Sequence, residues 1–171
     1  YAIPDSLVGS EMCIRDRYGR GPHENYIDRK SSAFVGLYGS SVEDLGFDYS
    51  RPQENGYRTD VRWFKVSNKD KIGFEIRGEP LISFSAHYNT IEDFDDGLIP
   101  QKADEKLAVR QRLAKMQRKP VDVPKRDFIS LNIDLKQMGV GGDNSWGART
   151  LPKYTINPGN YSYSFTIIPY N

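Results

Sequence analysis

The chain has 171 residues, with 24 Lys and Arg against 23 Asp and Glu, and a formal charge of +1. So near-neutral a chain has no global field to draw it onto nucleic acid or an anionic membrane, and no run approaches the ~18 apolar residues of a spanning helix. The 11 Tyr, 8 Phe and 2 Trp beside 15 Gly and 10 Pro point to an all-β, loop-rich chain, and the single cysteine, Cys13, excludes an internal disulfide.

The segment Glu11 to Arg17, EMCIRDR, resembles a translated sequencing adapter. A transposase end reading GAG ATG TGT ATA AGA GAC AG encodes Glu-Met-Cys-Ile-Arg-Asp and then Arg or Ser. Residues 1–17 are therefore set aside as adapter-derived, and the domain is taken as 18–171. Tyr18 to Lys30, YGRGPHENYIDRK, is dense in Gly, Pro and Asn and predicts an ordered loop. Ser31 to Tyr38 fits a short helix or a strand equally well. Val42 to Asn55 reads as irregular, and Arg51 to Gly56 as a turn.

Thr59 to Val66 alternates, with Val61, Trp63 and Lys65 on one face and Arg62, Phe64 and Val66 on the other. Ile72 to Arg77 and Leu81 to Tyr88 predict two further strands, divided by a turn at Gly78-Glu79-Pro80. In the second, Ile82, Phe84, Ala86 and Tyr88 form the apolar face, opposite Ser83, Ser85 and His87. Gln101 to Lys119 favours helix, with Asp104 and Glu105 at its start and Pro120 at its end. Its excess of Lys and Arg fits a solvated surface helix better than a phosphate-binding stripe. Phe128 to Met138 returns to alternation, with Ile129, Leu131, Ile133 and Leu135 inward. Tyr154–Ile156, a turn at 157–160 and Tyr161–Ile168 predict a closing hairpin. The sum is an antiparallel β-sandwich with one inserted surface helix.

Candidate chemistry is sparse. Gly139 to Trp146, GVGGDNSW, comes after a strand and carries three glycines, which permit positive φ and close approach. Without a closing Lys-Ser/Thr pair it is no phosphate loop. Its tryptophan reads either as a core residue on a tight turn or as a flat face for a sugar ring. Asp93, Asp95 and Asp96 with Gly97 lack calcium-loop spacing and read as a solvated turn. His23 and His87 have no Cys or second His at ligand spacing. His87 is expected to be structural or solvated, and His23 suits a buried hydrogen bond. Glu24, Glu54 and Asp143 are acids in structured loops, read as bracing acceptors rather than as the carboxylate pair of a glycosidase.

Four segments in series carry a family resemblance: YGRGPHENYIDR at 18–29, PQENGYR at 52–58, NIDLKQMGVGGDNSW at 132–146 and YSY at 161–163. Together they resemble the C-terminal, small-chain domain of bacterial β-galactosidases of glycoside hydrolase family 2, from Tyr18 to nearly the end. The resemblance implies a galactose mutarotase-like supersandwich, of which this chain is about the second half. It implies a retaining hydrolase of terminal β-galactosides such as lactose. Its nucleophile, acid/base and active-site metal (Mg or another divalent ion) lie in an upstream barrel, leaving this segment without catalytic residue or cofactor and inactive alone. The barrel is expected in cis or as a separate chain, with this segment then a non-catalytic small subunit or binding module. A homo-oligomer, in bacterial cytoplasm or periplasm, is implied, with no nucleic-acid or membrane partner. Carried over residue by residue, Trp146 is the sugar-stacking side chain. Gly141, Gly142, Asp143, Asn144 and Ser145 shape its loop.

Overall fold

The computed structural model describes residues 2–4, 13–50, 52–94, 120–142 and 147–170. Their regular structure is antiparallel β-sheet with short 3-10 turns, as expected of an all-β, sandwich-like chain. The strands are β1 (Ala2–Pro4), β2 (Cys13–Gly21), β3 (Phe34–Ser41), β4 (Arg58–Ser67), β5 (Gly73–His87), β6 (Phe128–Asp134) and β7 (Ser164–Tyr170). All seven join one sheet in the order β1-β6-β5-β4-β2-β3, with β7 also on β5. The helix expected over 101–119 lies outside the described residues.

Of Ser31–Tyr38, open between helix and strand, the part from Phe34 on belongs to β3 and residues 31–33 form the turn before it. The loop expected from Tyr18 starts later, because Tyr18 to Gly21 pair with β3 as the end of β2. The 17/18 boundary therefore falls inside β2, and Ile14 and Arg17 are both buried.

The long strand β5 corrects the sequence reading. No turn separates two strands at Gly78-Glu79-Pro80. The strand instead changes partner there. Gly73 to Glu79 pair with β7, while Ser83 to His87 pair with β6. A Cβ on Gly78 would sit 2.8 Å from the Ile82 nitrogen, so the backbone bends sharply where the partners change. The predicted hairpin is also absent. Residues 152–154 form a 3-10 turn opened by Pro152, and β7 pairs with β5 rather than with 154–156.

The core is built from β-branched and aromatic side chains on β4, β5 and β6. Val61, Phe64, Val66, Ile82, Phe84, Ala86, Ile129 and Leu131 are buried together, with Val42 and Leu45 from the loop before β4. Phe64 and Phe84 stack with ring centroids 4.1 Å apart. Val61 and Phe64 share this core despite their odd spacing, because the register of β4 shifts twice between Arg58 and Trp63. Asp60 in that bulge takes a left-handed φ of 54°, which Asp tolerates better than most residues. Its carboxylate is held by Arg20 Nε at 2.5 Å and Lys30 Nζ at 2.9 Å. The face of β5 expected to be polar is polar but buried, through Ser83, Ser85 and His87. The loop at 52–57, not solvent, covers part of it: His87 Nε2 lies 2.8 Å from the Asn55 carbonyl oxygen.

Candidate functional site

The first two motifs fold into one hydrogen-bonded unit. Asn25 donates its backbone N–H to the Tyr57 carbonyl at 2.8 Å. Its side-chain oxygen accepts from Thr59 N–H at 3.0 Å and Thr59 Oγ1 at 2.6 Å. Glu24 accepts from the Gly56 N–H at 2.9 Å and from the Tyr49 hydroxyl. Tyr26 and Tyr57 stack at 5.6 Å. Gly56 has no substitute here, since its φ is +72° and a Cβ would stand 2.7 Å from the Leu45 oxygen. Buried Arg58 donates to the Gly56 carbonyl at 2.8 Å. Each such buried bond is worth about 0.5–1.5 kcal/mol net, and more where a charge is involved.

The same motif reaches the glycine-rich loop. Tyr26 and Arg29 close a tight turn, with Arg29 N–H donating to the Tyr26 carbonyl at 2.9 Å. Asp28 lies in that turn. Its Oδ1 accepts the Val140 N–H at 3.1 Å, and its Oδ2 accepts the Gly141 N–H at 2.8 Å. On the returning side, Thr150 Oγ1 donates to Oδ2 at 3.4 Å. Gly139 N–H donates to the Tyr154 carbonyl at 3.0 Å. One carboxylate therefore clamps both legs of the loop across more than a hundred residues of sequence. A side chain at 139 would push the clamp apart, because a Cβ would meet Thr150 Oγ1 at 2.5 Å and the Asp28 carboxyl carbon at 2.6 Å. Gly141, Gly142 and Gly147 take φ of +68°, +94° and +83°. Asp143, Asn144, Ser145 and Trp146 lie outside the described residues.

A second polar group stands at the foot of the loop. Gln137 Nε2 donates to Glu54 Oε2 at 3.3 Å. Burial, reinforced by Asp134, raises the Glu54 carboxyl above the usual carboxylate range. Burial likewise raises Asp134. Tyr57 is fully buried and its phenol is pushed far up by desolvation.

The remaining sequence candidates are structural. His87 is buried, and desolvation lowers its pKa. His23 is exposed, with Nε2 3.2 Å from Ser32 Oγ, so the buried bond expected for it is not formed. Asp93 is buried rather than solvated, because Arg126 donates to it at 3.0 and 2.5 Å. Asp95, Asp96 and Gly97 lie outside the described residues. No cluster of three or more His, Cys, Asp or Glu suits a metal among the described residues. Sequence reasoning missed Asp28 and Asn25. Their only signal was membership of the first motif, and nothing local marks which distant backbone they bind. Chemically, the arrangement fixes a loop: Glu24 is engaged by three donors and is no free acid.

The family model described as beta galactosidase small chain matches residues 16–167. A beta-galactosidase of Priestia megaterium is 39% identical over 153 residues, covering 89% of this chain and 13% of that protein. One from Vibrio cholerae is 33% identical over 150 residues, 88% of this chain and 12% of its own length. One from Streptococcus thermophilus is 28% identical over 166 residues, 96% of this chain and 14% of its own. The chain thus spans about an eighth of the length of the curated relatives it matches.

Proposed function

We propose, from the premise that this chain belongs to the beta galactosidase small chain family, that it is the non-catalytic C-terminal part of a β-galactosidase. Its task is to hold a loop against the sugar site of an upstream catalytic barrel. The whole enzyme hydrolyses terminal β-galactosides such as lactose with retention. That chemistry requires a carboxylate pair about 5–5.5 Å apart, one acting as nucleophile and one as acid and then base. The barrel supplies that pair and any divalent metal. Residues 18–171 supply the second half of a mutarotase-like sandwich and the sugar-stacking Trp146, with Gly141, Gly142, Asp143, Asn144 and Ser145 shaping its loop.

The observation that carries this reading is the Asp28 clamp. A carboxylate spent on the backbone of Val140 and Gly141 serves to place the next stretch of chain, Gly-Asp-Asn-Ser-Trp at 142–146. A barrel on the same polypeptide is the favoured partner, since the relatives run about eight times the length matched here. A separate small subunit is the second arrangement, and the reading frame upstream of the segment decides between them. The test is turnover of a chromogenic galactoside by the purified chain and by the complete enzyme at equal molarity. The complete enzyme turns over and the purified chain does not; robust turnover by the purified chain overturns the division of labour.

A further inference from the structure

A cavity of about 210 Å³ opens between the loop before β4, the segment following β5 and the residues leading into β6. None of its lining residues belongs to the glycine-rich loop or to the first motif. Its walls are tied to one another. Arg126 donates its backbone N–H to the Tyr88 carbonyl at 2.6 Å and its guanidinium to Asp93 at 3.0 and 2.5 Å. Lys125 is ion-paired with Glu43. Phe94 stands edge-on to the His87 ring at 5.7 Å, and His87 is itself anchored on the Asn55 carbonyl. The cavity is therefore preformed, so a ligand entering it orders little that is not already fixed.

Phe47 is the most exposed ring on the wall, at 59%. It is nonetheless held in place. Its backbone N–H donates to Asn55 Oδ1 at 2.9 Å, and its ring leans on Tyr49 with centroids 4.7 Å apart. A rigid aromatic face at a cavity rim is an apolar platform. Beside it the lining is polar. Asp48 is exposed and has no ion pair among the described residues. The Asn89 amide donates to the Thr90 carbonyl at 2.8 Å and keeps its oxygen as an acceptor.

Size and charge narrow the ligand. A cavity of roughly 150 Å³ accommodates benzene, and drug-sized ligands occupy about 300–1,000 Å³. A cavity of 210 Å³ thus suits one six-membered ring with its substituents. Glu43 offsets Lys125 and Asp48 adds a negative charge, which disfavours a phosphate or a carboxylate. No metal-suited cluster of His, Cys, Asp or Glu forms among the described residues. A sugar ring answers both halves of the lining, with one C–H face and a rim of hydroxyl donors. We propose that this cavity binds one neutral hexopyranose, its C–H face on Phe47 and its hydroxyls donating to Asp48 and Asn89. The site stands on described residues alone and does not depend on the function proposed above.

The test uses the complete enzyme carrying this segment, with its barrel nucleophile blocked by a covalent galactosyl inhibitor so that the reacting position takes no free sugar. Saturation-transfer NMR then follows galactose and glucose in turn, a readout suited to weak binding by a small ligand. At least one of them gives a saturable signal in the parent. Phe47→Ala weakens that binding about fivefold, the loss of one stacked face, and Asp48→Asn weakens it several-fold. Sorbitol, which has the hydroxyls but no ring face, does not displace the sugar. Thermal melting reports whether Phe47→Ala disturbs the fold, and Asp48→Asn then carries the comparison. Equal binding in the parent and both variants overturns the proposal, as does the lack of any sugar signal in the blocked parent or displacement by sorbitol. So does a crystal structure of the complete enzyme in which residues 95–119 or another region fill the cavity.

Discussion

Asp28→Ala isolates the clamp beneath the glycine-rich loop. The carboxylate accepts two backbone N–H groups at 3.1 and 2.8 Å and a longer threonine hydroxyl at 3.4 Å. Hydrogen bonds to a charged acceptor contribute about 1.5–3 kcal/mol each. Val140 is 45% exposed, so water replaces much of its share. The expected loss is about 2–4 kcal/mol from the ordered loop, a shift of roughly 30- to 1,000-fold in its equilibrium. A loop ordered ~99% of the time would then be open for a quarter of it or more, raising the apparent KM for a galactoside by up to about tenfold. The assay is KM and kcat of the complete enzyme, with amide exchange across 139–150 and thermal melting as companions. Exchange should rise at least about 30-fold in that window while melting moves little. Asp28→Asn keeps one acceptor oxygen and should recover part of the loss. Gly139→Ala pushes on the same carboxylate, so the double variant should cost less than the sum of the singles. Unchanged exchange at 140–150 together with unchanged KM would refute the clamp.

Two further perturbations test the scaffold. Arg17 is 1% exposed, its Nε has no partner among the described residues, and burial lowers its pKa to about 10. Its side chain is held by Ser40 Oγ at 3.1 Å, the Pro22 carbonyl at 2.9 Å and the Tyr38 ring. Arg17→Met should therefore stabilise the domain by about 1–4 kcal/mol, as replacement of buried ionic groups often does; a lowered Tm counts against it. The Arg126 hydrogen bond, helped by Thr90, holds the Asp93 carboxyl down from 3.8 to about 2. Its folded pKa is depressed, so its contribution is complete above 3.8 and is lost as pH falls towards about 2. Arg126→Ala should move the Asp93 midpoint, read by NMR titration, back up towards 3.8; a midpoint that stays near 2 contradicts the pairing.

Local pattern carried the strands whose partners do not change. The alternation of Ile129 and Leu131 reads directly as the buried face of β6, because one side of that strand meets the core. It failed where tertiary context intervened. Pro80 and Gly78 look like a turn, but β4 continues alongside and two different strands share the other edge of β5. Val61 and Phe64 break strict alternation because the register against β5 shifts between Val61, opposite Ile82, and Trp63, opposite Arg77. At the site, the glycines of the loop stand out in sequence, and Glu24 and Glu54 do act as acceptors in loops. Asp28 was illegible, since its partners lie 112 and 113 residues away and are backbone atoms common to every residue.

On the proposed division of labour, this segment contributes a sugar contact and no bond-breaking group. The direct measurement is steady-state kinetics of Trp146→Ala and Trp146→Phe in the complete enzyme. Stacking of this kind is worth on the order of 1 kcal/mol, and more where water is excluded. Trp146→Ala should raise KM roughly fivefold or more, Trp146→Phe should recover part of it, and both should keep measurable turnover. KM and kcat unchanged in Trp146→Ala would contradict the account, as would a loss of all turnover in Trp146→Phe.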